Sequence, residues 1–216
     1  PKKASLEGKN TESAVLLPVR DTPRAPVSEA FRMLQANLKF LSSDKPKVIV
    51  VTSSVPNEGK STVSANLSAA MAQLGHRVLL IDADMRRPTQ HHIWEKTNTE
   101  GLSDVIVGEA ELKAAVKEVM PKLNVLTAGA TPPNPVALLE SRGMSALIEA
   151  VSQTYDFVII DAPPLLVAAD ALTLGKVSDG VLLVARPGVV HSNTAVSAKD
   201  LLTTSGQKVL GLVVNG

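Results

Sequence analysis

Short apolar runs alternate along the chain with longer stretches in which apolar residues recur at helical spacing. Helices are predicted from Ser28 onward, across 63–74, through the 90s and 100s, at 135–153, near 168–177 and at 193–204. Buried strands separated by helices pair in parallel through right-handed crossovers. We therefore predict an α/β fold, with a doubly wound, mainly parallel β-sheet flanked by helices. The predicted strands are KVIVVTSS (47–54), RVLLID (77–82), LNVLTA (123–128), DFVIID (156–161), GVLLVA (180–185) and KVLGLVVN (208–215).

The first 26 residues are polar, interrupted by prolines and without a period, which predicts a linker or an extended segment lying on the domain. Residues 27–216 are predicted as one domain, since a 216-residue chain with 44% hydrophobic residues can bury one sizeable core. The chain begins at Pro1 and stops at Gly216 after an apolar run. We interpret it as a fragment whose C-terminal tail is truncated.

A helix with two distinct faces is predicted after this segment, with Ser28 as its N-cap. One face is apolar, and the opposite face is polar and is expected in solvent. An ordinary solvated helix face explains the polar positions without a partner. The apolar positions are Phe31, Leu34, Leu38 and Leu41, and the polar positions are Glu29, Arg32 and Gln35.

The charge balance argues against a polyanionic partner. Lys and Arg number 22 against 21 acidic residues, so the net charge is only +1 and nucleic acid is not expected to bind. The absence of cysteine excludes disulfides and thiolate metal sites. No stretch of the sequence has the roughly 20 apolar residues of a membrane span, so a soluble, cytoplasmic chain is predicted.

Residues 54–61 (SVPNEGKS) follow the phosphate-binding pattern G-x-x-x-x-G-K-[ST] except at the first position, where Ser54 replaces Gly. Gly59 lets the backbone approach phosphate oxygens, and Lys60 supplies a positive charge for them. Ser61 would ligate Mg²⁺, so ATP and Mg²⁺ are the expected cofactors. The residues expected to bind the nucleotide are Ser54, Pro56, Asn57, Glu58, Gly59, Lys60, Ser61 and Thr62.

Two predicted strands end in aspartate, within LLIDADMRR (79–87) and FVIIDAPP (157–164). A carboxylate that ends a central strand lies beside the phosphate loop, where it can hold Mg²⁺ directly or through water. Asp161 is the candidate for that position. Asp82 and Asp84 point the same way if their strand continues that far, and they could share metal and proton-transfer roles.

Three motifs in this order resemble the catalytic domain of the bacterial tyrosine kinases, the BY-kinases, which share a superfamily with the ParA and MinD ATPases. The motifs are VPNEGKST, the Asp-x-Asp-x-Arg stretch that ends at Arg86, and FVIIDAPP. The resemblance covers residues 28–216. It implies a P-loop NTPase fold and an ATP-dependent protein-tyrosine kinase (autokinase) that regulates polysaccharide synthesis and export.

The resemblance also implies roles for single residues. Lys60 would hold the ATP phosphates, and one carboxylate of Asp82 and Asp84 would take the proton of the substrate tyrosine, with the choice left open. Asn215 occupies a position where related folds place an Asn beside adenine, although a strand-ending turn explains it equally well. The implied catalytic set is Lys60, Asp82, Asp84 and Arg86, and the implied metal set is Ser61, Asp82 and Asp161.

Partners are implied by the same resemblance. Glu29, Arg32 and Gln35 match the family's E-x-x-R-x-x-R motif at a ring interface, with Gln in place of the last Arg, so a weak or conditional homo-oligomer is expected. The implied partners are the tyrosine-rich tail of a neighbouring copy and a transmembrane activator segment, fused or separate, at the cytoplasmic side of the bacterial inner membrane. Tyr155 is the only tyrosine in the sequence and is expected to be half-buried.

Two alternatives remain within the same fold. ParA/MinD-like ATPases carry a second lysine five residues before the loop lysine, and Val55 stands at that position. A nucleotide-gated assembly module with vestigial phosphoryl transfer is the other alternative. The presence of every acidic residue that the chemistry requires argues against it.

Overall fold

The computed structural model describes residues 17–40 and 46–216 of the chain. Within these residues, seven strands form one sheet in the order β3-β4-β2-β5-β1-β6-β7. Every neighbouring pair is parallel except β3 and β4. The predicted doubly wound, mainly parallel sheet is confirmed. The strands are β1 (Val48–Ser53), β2 (Val78–Asp82), β3 (Lys117–Met120), β4 (Leu123–Leu126), β5 (Phe157–Asp161), β6 (Gly180–Ala185) and β7 (Val209–Val214).

Helices cover both faces of the sheet and bury an aliphatic core on each. The central helix α3 is buried around most of its circumference, because it packs on β1, β2 and β5 while α2 covers it from outside. No described helix has the length and apolarity needed to cross a membrane. The helices are α1 (Pro18–Asp21), α2 (Pro26–Phe40), α3 (Lys60–Gln73), α4 (Gln90–Ile93), α5 (Leu102–Val107), α6 (Leu112–Ala115), α7 (Pro135–Leu139), α8 (Arg142–Thr154), α9 (Asp170–Gly175) and α10 (Ser192–Thr204).

Two predicted elements differ from the structure. The long helix predicted at 135–153 is wrong, because the chain forms α7 and α8 with a break between them. Ser141 caps α8 by accepting a hydrogen bond from the Met144 N–H at 3.3 Å, which starts a new helix there. The edge strand β3 was not predicted, because its half-exposed residues form no apolar run.

Helical structure begins earlier in the described part of the chain than predicted. Helix α2 begins at Pro26, so Ser28 lies inside it and is not its N-cap; its hydroxyl donates to the Thr22 carbonyl at 2.8 Å. Leu17 and Val19 are fully buried, and the Val19 N–H donates to Asn66 Oδ1 of α3 at 3.2 Å. The remainder of the predicted linker, residues 1–16, lies outside the described residues. The domain boundary at residue 26 stays a prediction.

The polar face predicted for α2 is only partly polar in the structure. Glu29 is exposed and forms an ion pair of 2.7 Å with the half-buried Arg32. Gln35 is only 2% exposed and faces the interior, so its predicted position in solvent is wrong. Leu41, predicted on the apolar face, lies outside the described residues.

Candidate functional site

The carboxyl ends of three neighbouring strands, β2, β5 and β1, meet at one edge of the sheet. Asp82, at the end of β2, is paired in register with Asp161, at the end of β5. Strand β1 lies on the other side of β5 and leads directly into the glycine-containing loop before α3. The parallel topology therefore brings the predicted loop and the two predicted carboxylates together, as expected for a doubly wound sheet.

The loop is held in a shape that only glycine allows at residue 59. Gly59 has φ +86°, and a Cβ atom there would lie 2.1 Å from Asn215 Nδ2. The Asn215 amide donates to the Glu58 carbonyl at 2.9 Å, so the end of β7 is joined to the loop. No described side chain caps the N-terminus of α3, which leaves its first-turn N–H groups free to bind an anion.

Two of the predicted nucleotide-binding residues lie behind the loop. Glu58 is fully buried, and its carboxylate accepts hydrogen bonds from the N–H groups of Val55 at 2.7 Å and Arg186 at 3.2 Å. Ser54 is also fully buried, and its carbonyl accepts from the Leu166 N–H at 3.2 Å. Neither side chain lines the cavity. Glu58 fixes the loop conformation through its carboxylate, whereas the contact of Ser54 is made by its backbone.

The other predicted loop residues line a cavity of about 380 Å³ at the sheet edge. This volume falls within the range of small-molecule sites. Pro163, Pro164 and Val167, which follow β5, close one side. The two prolines end the FVIIDAPP motif, whereas no sequence motif includes Val167. The remaining lining residues are Pro56, Asn57, Gly59, Lys60, Ser61, Thr62, Asp84, Arg86, Arg87 and Thr89.

The Lys60 ammonium is the positive centre of the site. Its Nζ lies 2.9 Å from Asp84 Oδ2, 3.3 Å from Asp161 Oδ1 and 3.1 Å from Ser61 Oγ. Burial works to lower the pKa of Lys60, but the carboxylates of Asp161 and Asp84 outweigh burial and raise it to about 12. The side chain therefore stays charged at every physiological pH.

Asp82 is fully buried and is held by three backbone donors. Its Oδ2 accepts from the N–H groups of Thr89 and Gln90, both at 2.9 Å, and its Oδ1 accepts from the Asp84 N–H at 3.2 Å. Burial, followed by the charge of Asp161, raises the pKa of Asp82 to about 7, although these hydrogen bonds oppose the shift. Asp82 therefore changes charge near neutral pH in the metal-free protein.

This raised pKa predicts a pH dependence of stability. The ordinary pKa of Asp82 is 3.8, and in the folded protein it is about 7, so the folded state binds the proton more tightly than the unfolded state. The free energy of unfolding therefore falls as the pH rises between these two values. Between about pH 5 and about pH 8, the free energy of unfolding of the wild type should fall by on the order of 1–3 kcal/mol because of Asp82, and Asp82→Asn should not show this fall. Melting temperatures measured in EDTA across this pH range test the prediction, and a substitution of the exposed Asp200, Asp200→Asn, is the control. Identical pH profiles of Asp82→Asn and wild type would contradict the prediction.

Arg86 connects the acidic stretch to α9. Its Nε and Nη2 donate to the two carboxylate oxygens of Asp170 at 3.0 and 3.2 Å. Asp170 is fully buried, whereas the Arg86 side chain is 40% exposed. Arg86 lines the cavity, but its guanidinium is engaged in this fixed pair. The pair therefore holds the loop after β2 against the segment that follows β5.

Arg86→Ala is expected to destabilise the protein, because it leaves the buried Asp170 carboxylate without its partner. After allowance for the exposure of Arg86, the expected loss is about 1–2 kcal/mol. Arg87→Ala is the control, since Arg87 lines the same cavity and forms no ion pair with a described residue. Urea unfolding measures both, and equal midpoints for the two variants would contradict a structural role for the pair.

The site also contains a buried residue that the sequence did not reveal. Gln90 is fully buried at the start of α4, and its Nε2 donates to Asp161 Oδ2 at 2.8 Å and to the Ser61 carbonyl at 3.0 Å. Its Oε1 accepts from Trp94 Nε1 at 3.2 Å. A glutamine after the Asp-x-Asp-x-Arg stretch carries no recognisable signal, because its contacts arise only when α4 folds back onto α3.

The donor set is suited to a hard cation that arrives with a phosphate ligand. Ser61, Asp82 and Asp161 offer hydroxyl and carboxylate oxygens, which Mg²⁺ prefers. The described residues contain no group of three or more acidic or histidine side chains that could hold a metal alone. This arrangement fits Mg²⁺, which is commonly held by one or two carboxylates together with substrate phosphates and water.

Comparisons with known sequences agree with this geometry. A family model described as an AAA domain matches residues 46–198. The chain is 43% identical over 196 residues to the tyrosine-protein kinase YwqD of Bacillus subtilis, an alignment that spans 90% of this chain and 83% of that protein.

Solved structures share the fold. The chimerical protein CapA2B2 has a TM-score of 0.90 at 38% identity and covers 92% of this chain and 88% of its own. The kinase domain of the Escherichia coli tyrosine kinase ETK has a TM-score of 0.89 at 33% identity, and the match covers 93% of this chain and 80% of that domain. The septum site-determining protein MinD of Pyrococcus horikoshii, complexed with Mg-ADP, has a TM-score of 0.66 at 26% identity, and the match covers 78% of this chain and 70% of that protein. The chain therefore has a nucleotide-binding P-loop fold.

Proposed function

Because the chain belongs to the family of bacterial tyrosine-protein kinases, we propose that its site binds ATP with Mg²⁺ and transfers the γ-phosphoryl group to a tyrosine hydroxyl. The observation that carries the proposal is the meeting of Lys60, Asp84 and Asp161 beside an uncapped helix N-terminus at one cavity. Phosphoryl transfer needs alignment and charge neutralisation more than covalent help, and this site offers both.

Each part of the site has a proposed task. The N–H groups of the loop and of the first turn of α3 bind the phosphates, and Lys60 neutralises their charge. Ser61, Asp82 and Asp161 would hold Mg²⁺, which would supply further charge neutralisation at the phosphates. Before ATP binds, Lys60 is held by Asp84 and Asp161, so its ammonium already lies at the cavity wall.

We assign the proton-accepting role to Asp84. A tyrosine hydroxyl has an ordinary pKa of about 10, so a carboxylate near its oxygen assists transfer. Asp84 lines the cavity, whereas Asp82 is fully buried and committed to three backbone N–H groups. This difference favours Asp82 as the metal ligand, and Arg86 supports Asp84 by fixing the loop that carries it.

The acceptor is proposed to come from another polypeptide segment. Tyr155 is half-buried, does not line the cavity, and accepts a hydrogen bond from Asn124 Nδ2 at 2.8 Å. The family resemblance supports the tyrosine-rich tail of a neighbouring copy as acceptor and a transmembrane activator segment as partner, at the cytoplasmic side of the inner membrane. Polysaccharide synthesis and export is the process that the resemblance supports.

An oligomer is part of this proposal. Glu29 and Arg32 at the start of α2 are the residues proposed to contact the next copy. Arg32 also donates to the Pro23 carbonyl at 2.6 Å, so its guanidinium is held in place at the protein surface.

Asn215, which contacts the loop at Glu58, is proposed to lie beside the adenine.

Incubation with labelled ATP, Mg²⁺ and a tyrosine-rich peptide tests the proposed function. A matched peptide in which phenylalanine replaces every tyrosine is the control. We expect Mg²⁺-dependent label on the first peptide and none on the second. Equal label on both peptides, or no label on either, would sink the proposal.

A further inference from the structure

Gln90 occupies an unusual position between the proposed metal ligands and the only tryptophan of the chain. Its backbone N–H donates to Asp82 Oδ2, and its side-chain Nε2 donates to Asp161 Oδ2. One residue therefore orients both carboxylates. The same Nε2 reaches the Ser61 carbonyl, in the first turn of α3.

These contacts use both hydrogens of the Gln90 amide group. One N–H bond fixes Asp161, and the other fixes the backbone of the residue proposed to bind Mg²⁺ through its hydroxyl. The Gln90 oxygen is occupied as well, by the indole N–H of Trp94. Because Gln90 is fully buried and Trp94 is only 4% exposed, water cannot readily replace these partners.

The arrangement matters because Asp82 and Asp161 end neighbouring strands and their carboxyl groups share one buried environment. Asp82 and Asp161 are both fully buried on neighbouring strands. Lys60 approaches Asp161 from one side at Oδ1, and Gln90 approaches it from the other at Oδ2. Without the Gln90 donor, Lys60 would hold the Asp161 carboxylate at one oxygen only, and the orientation that a shared cation requires would be less well fixed.

We propose that Gln90 is a positioning residue that orients Asp82 and Asp161 for Mg²⁺ and transmits occupation of that site to Trp94. The inference rests on the proposed function, since it assumes that these carboxylates hold the metal. Gln90 touches neither substrate nor metal. Its effect on a cation is exerted through the atoms that it holds, in the manner of the hydrogen-bonded neighbours that orient metal ligands in other proteins.

Gln90→Met tests the proposal, because Met has a similar length and no hydrogen-bonding amide. ADP binding to the full chain is measured by calorimetry while Mg²⁺ is titrated, and again in EDTA. We expect the Mg²⁺ concentration for half-maximal effect to rise about 10- to 100-fold, with ADP affinity in EDTA changed less than about twofold. A merely structural role would weaken ADP binding in both conditions.

Gln73→Met is the matched control, since Gln73 joins α3 to α1 through a 2.7 Å hydrogen bond to the Val19 carbonyl. It should leave the Mg²⁺ requirement at the wild-type value. If Gln90→Met does not fold, Gln90→Asn replaces it; its amide is one methylene shorter, and the same rise in Mg²⁺ requirement is expected. Both variants keep the backbone N–H that contacts Asp82, so they test the side-chain contacts to Asp161 and Ser61. An unchanged Mg²⁺ requirement in the folded variant would overturn the positioning role of the Gln90 side chain.

Trp94 fluorescence tests the second half of the proposal in the unmodified protein. Since the sequence has one tryptophan, its emission should change when Mg²⁺ and ADP bind together and change less with ADP in EDTA. Constant emission while calorimetry detects Mg²⁺-dependent binding would overturn the link to Trp94 and leave the proposed function intact. Absence of any ADP binding by the wild-type chain would overturn the proposed function and this inference with it.

Discussion

Lys60→Met is expected to lower the rate of tyrosine phosphorylation by about 1,000-fold, because it removes the positive charge nearest the transferring phosphoryl group. The exposed Lys199→Met on α10 is the matched control and should retain the wild-type rate. Initial rates with labelled ATP and a tyrosine-rich peptide give the comparison.

The same substitution should also change stability. Lys60 is 9% exposed and lies within ion-pair distance of Asp84 and Asp161, so its loss leaves buried carboxylates without a counter-charge. We expect a loss on the order of 3 kcal/mol in the free energy of unfolding near neutral pH. A Lys60→Met protein with wild-type stability and a rate within tenfold of wild type would contradict the assignment.

Gly59→Ala should be the most damaging small substitution in the loop. The new methyl group would lie 2.1 Å from Asn215 Nδ2, so Asn215 must leave the Glu58 carbonyl, and the backbone at φ +86° is strained as well. We expect about 2 kcal/mol more destabilisation than in the control, with at least about a tenfold loss of ADP affinity.

Gly108→Ala is the control because Gly108 has nearly the same backbone angle, φ +80°, with no described atom within 4 Å of an added Cβ. The destabilisation of Gly108→Ala therefore measures the cost of alanine in the left-handed backbone region without any steric contact. Thermal unfolding and calorimetry with ADP measure the two variants. Equal destabilisation in both would show that the contact with Asn215 does not matter.

The central strands could be predicted from sequence because they are buried on both faces and therefore read as continuous apolar runs. Edge strand β3 could not be, since its residues, Lys117–Met120, are half-exposed and form no such run. Gln35 was misplaced for a related reason: a polar residue at helical spacing is assigned to solvent, whereas the structure leaves Gln35 only 2% exposed.

The motif residues of the site could be located because they lie at the carboxyl ends of predicted strands or directly after them. The residues that hold them could not be, because their contacts span long separations in sequence. Gln90 reaches Asp161 across 71 positions, Arg86 reaches Asp170 across 84, and Asn215 reaches Glu58 across 157. Only the folded sheet edge brings these pairs together, and no local pattern specifies them.

The most direct test of the account is the fate of the γ-phosphoryl group in one reaction. The wild-type chain is mixed with γ-labelled ATP, Mg²⁺ and a tyrosine-rich peptide, and label on tyrosine is compared with free labelled phosphate over time. The account predicts that label accumulates on tyrosine faster than phosphate is released, and that EDTA abolishes both. Steady phosphate release with no label on tyrosine would contradict it and favour an ATPase.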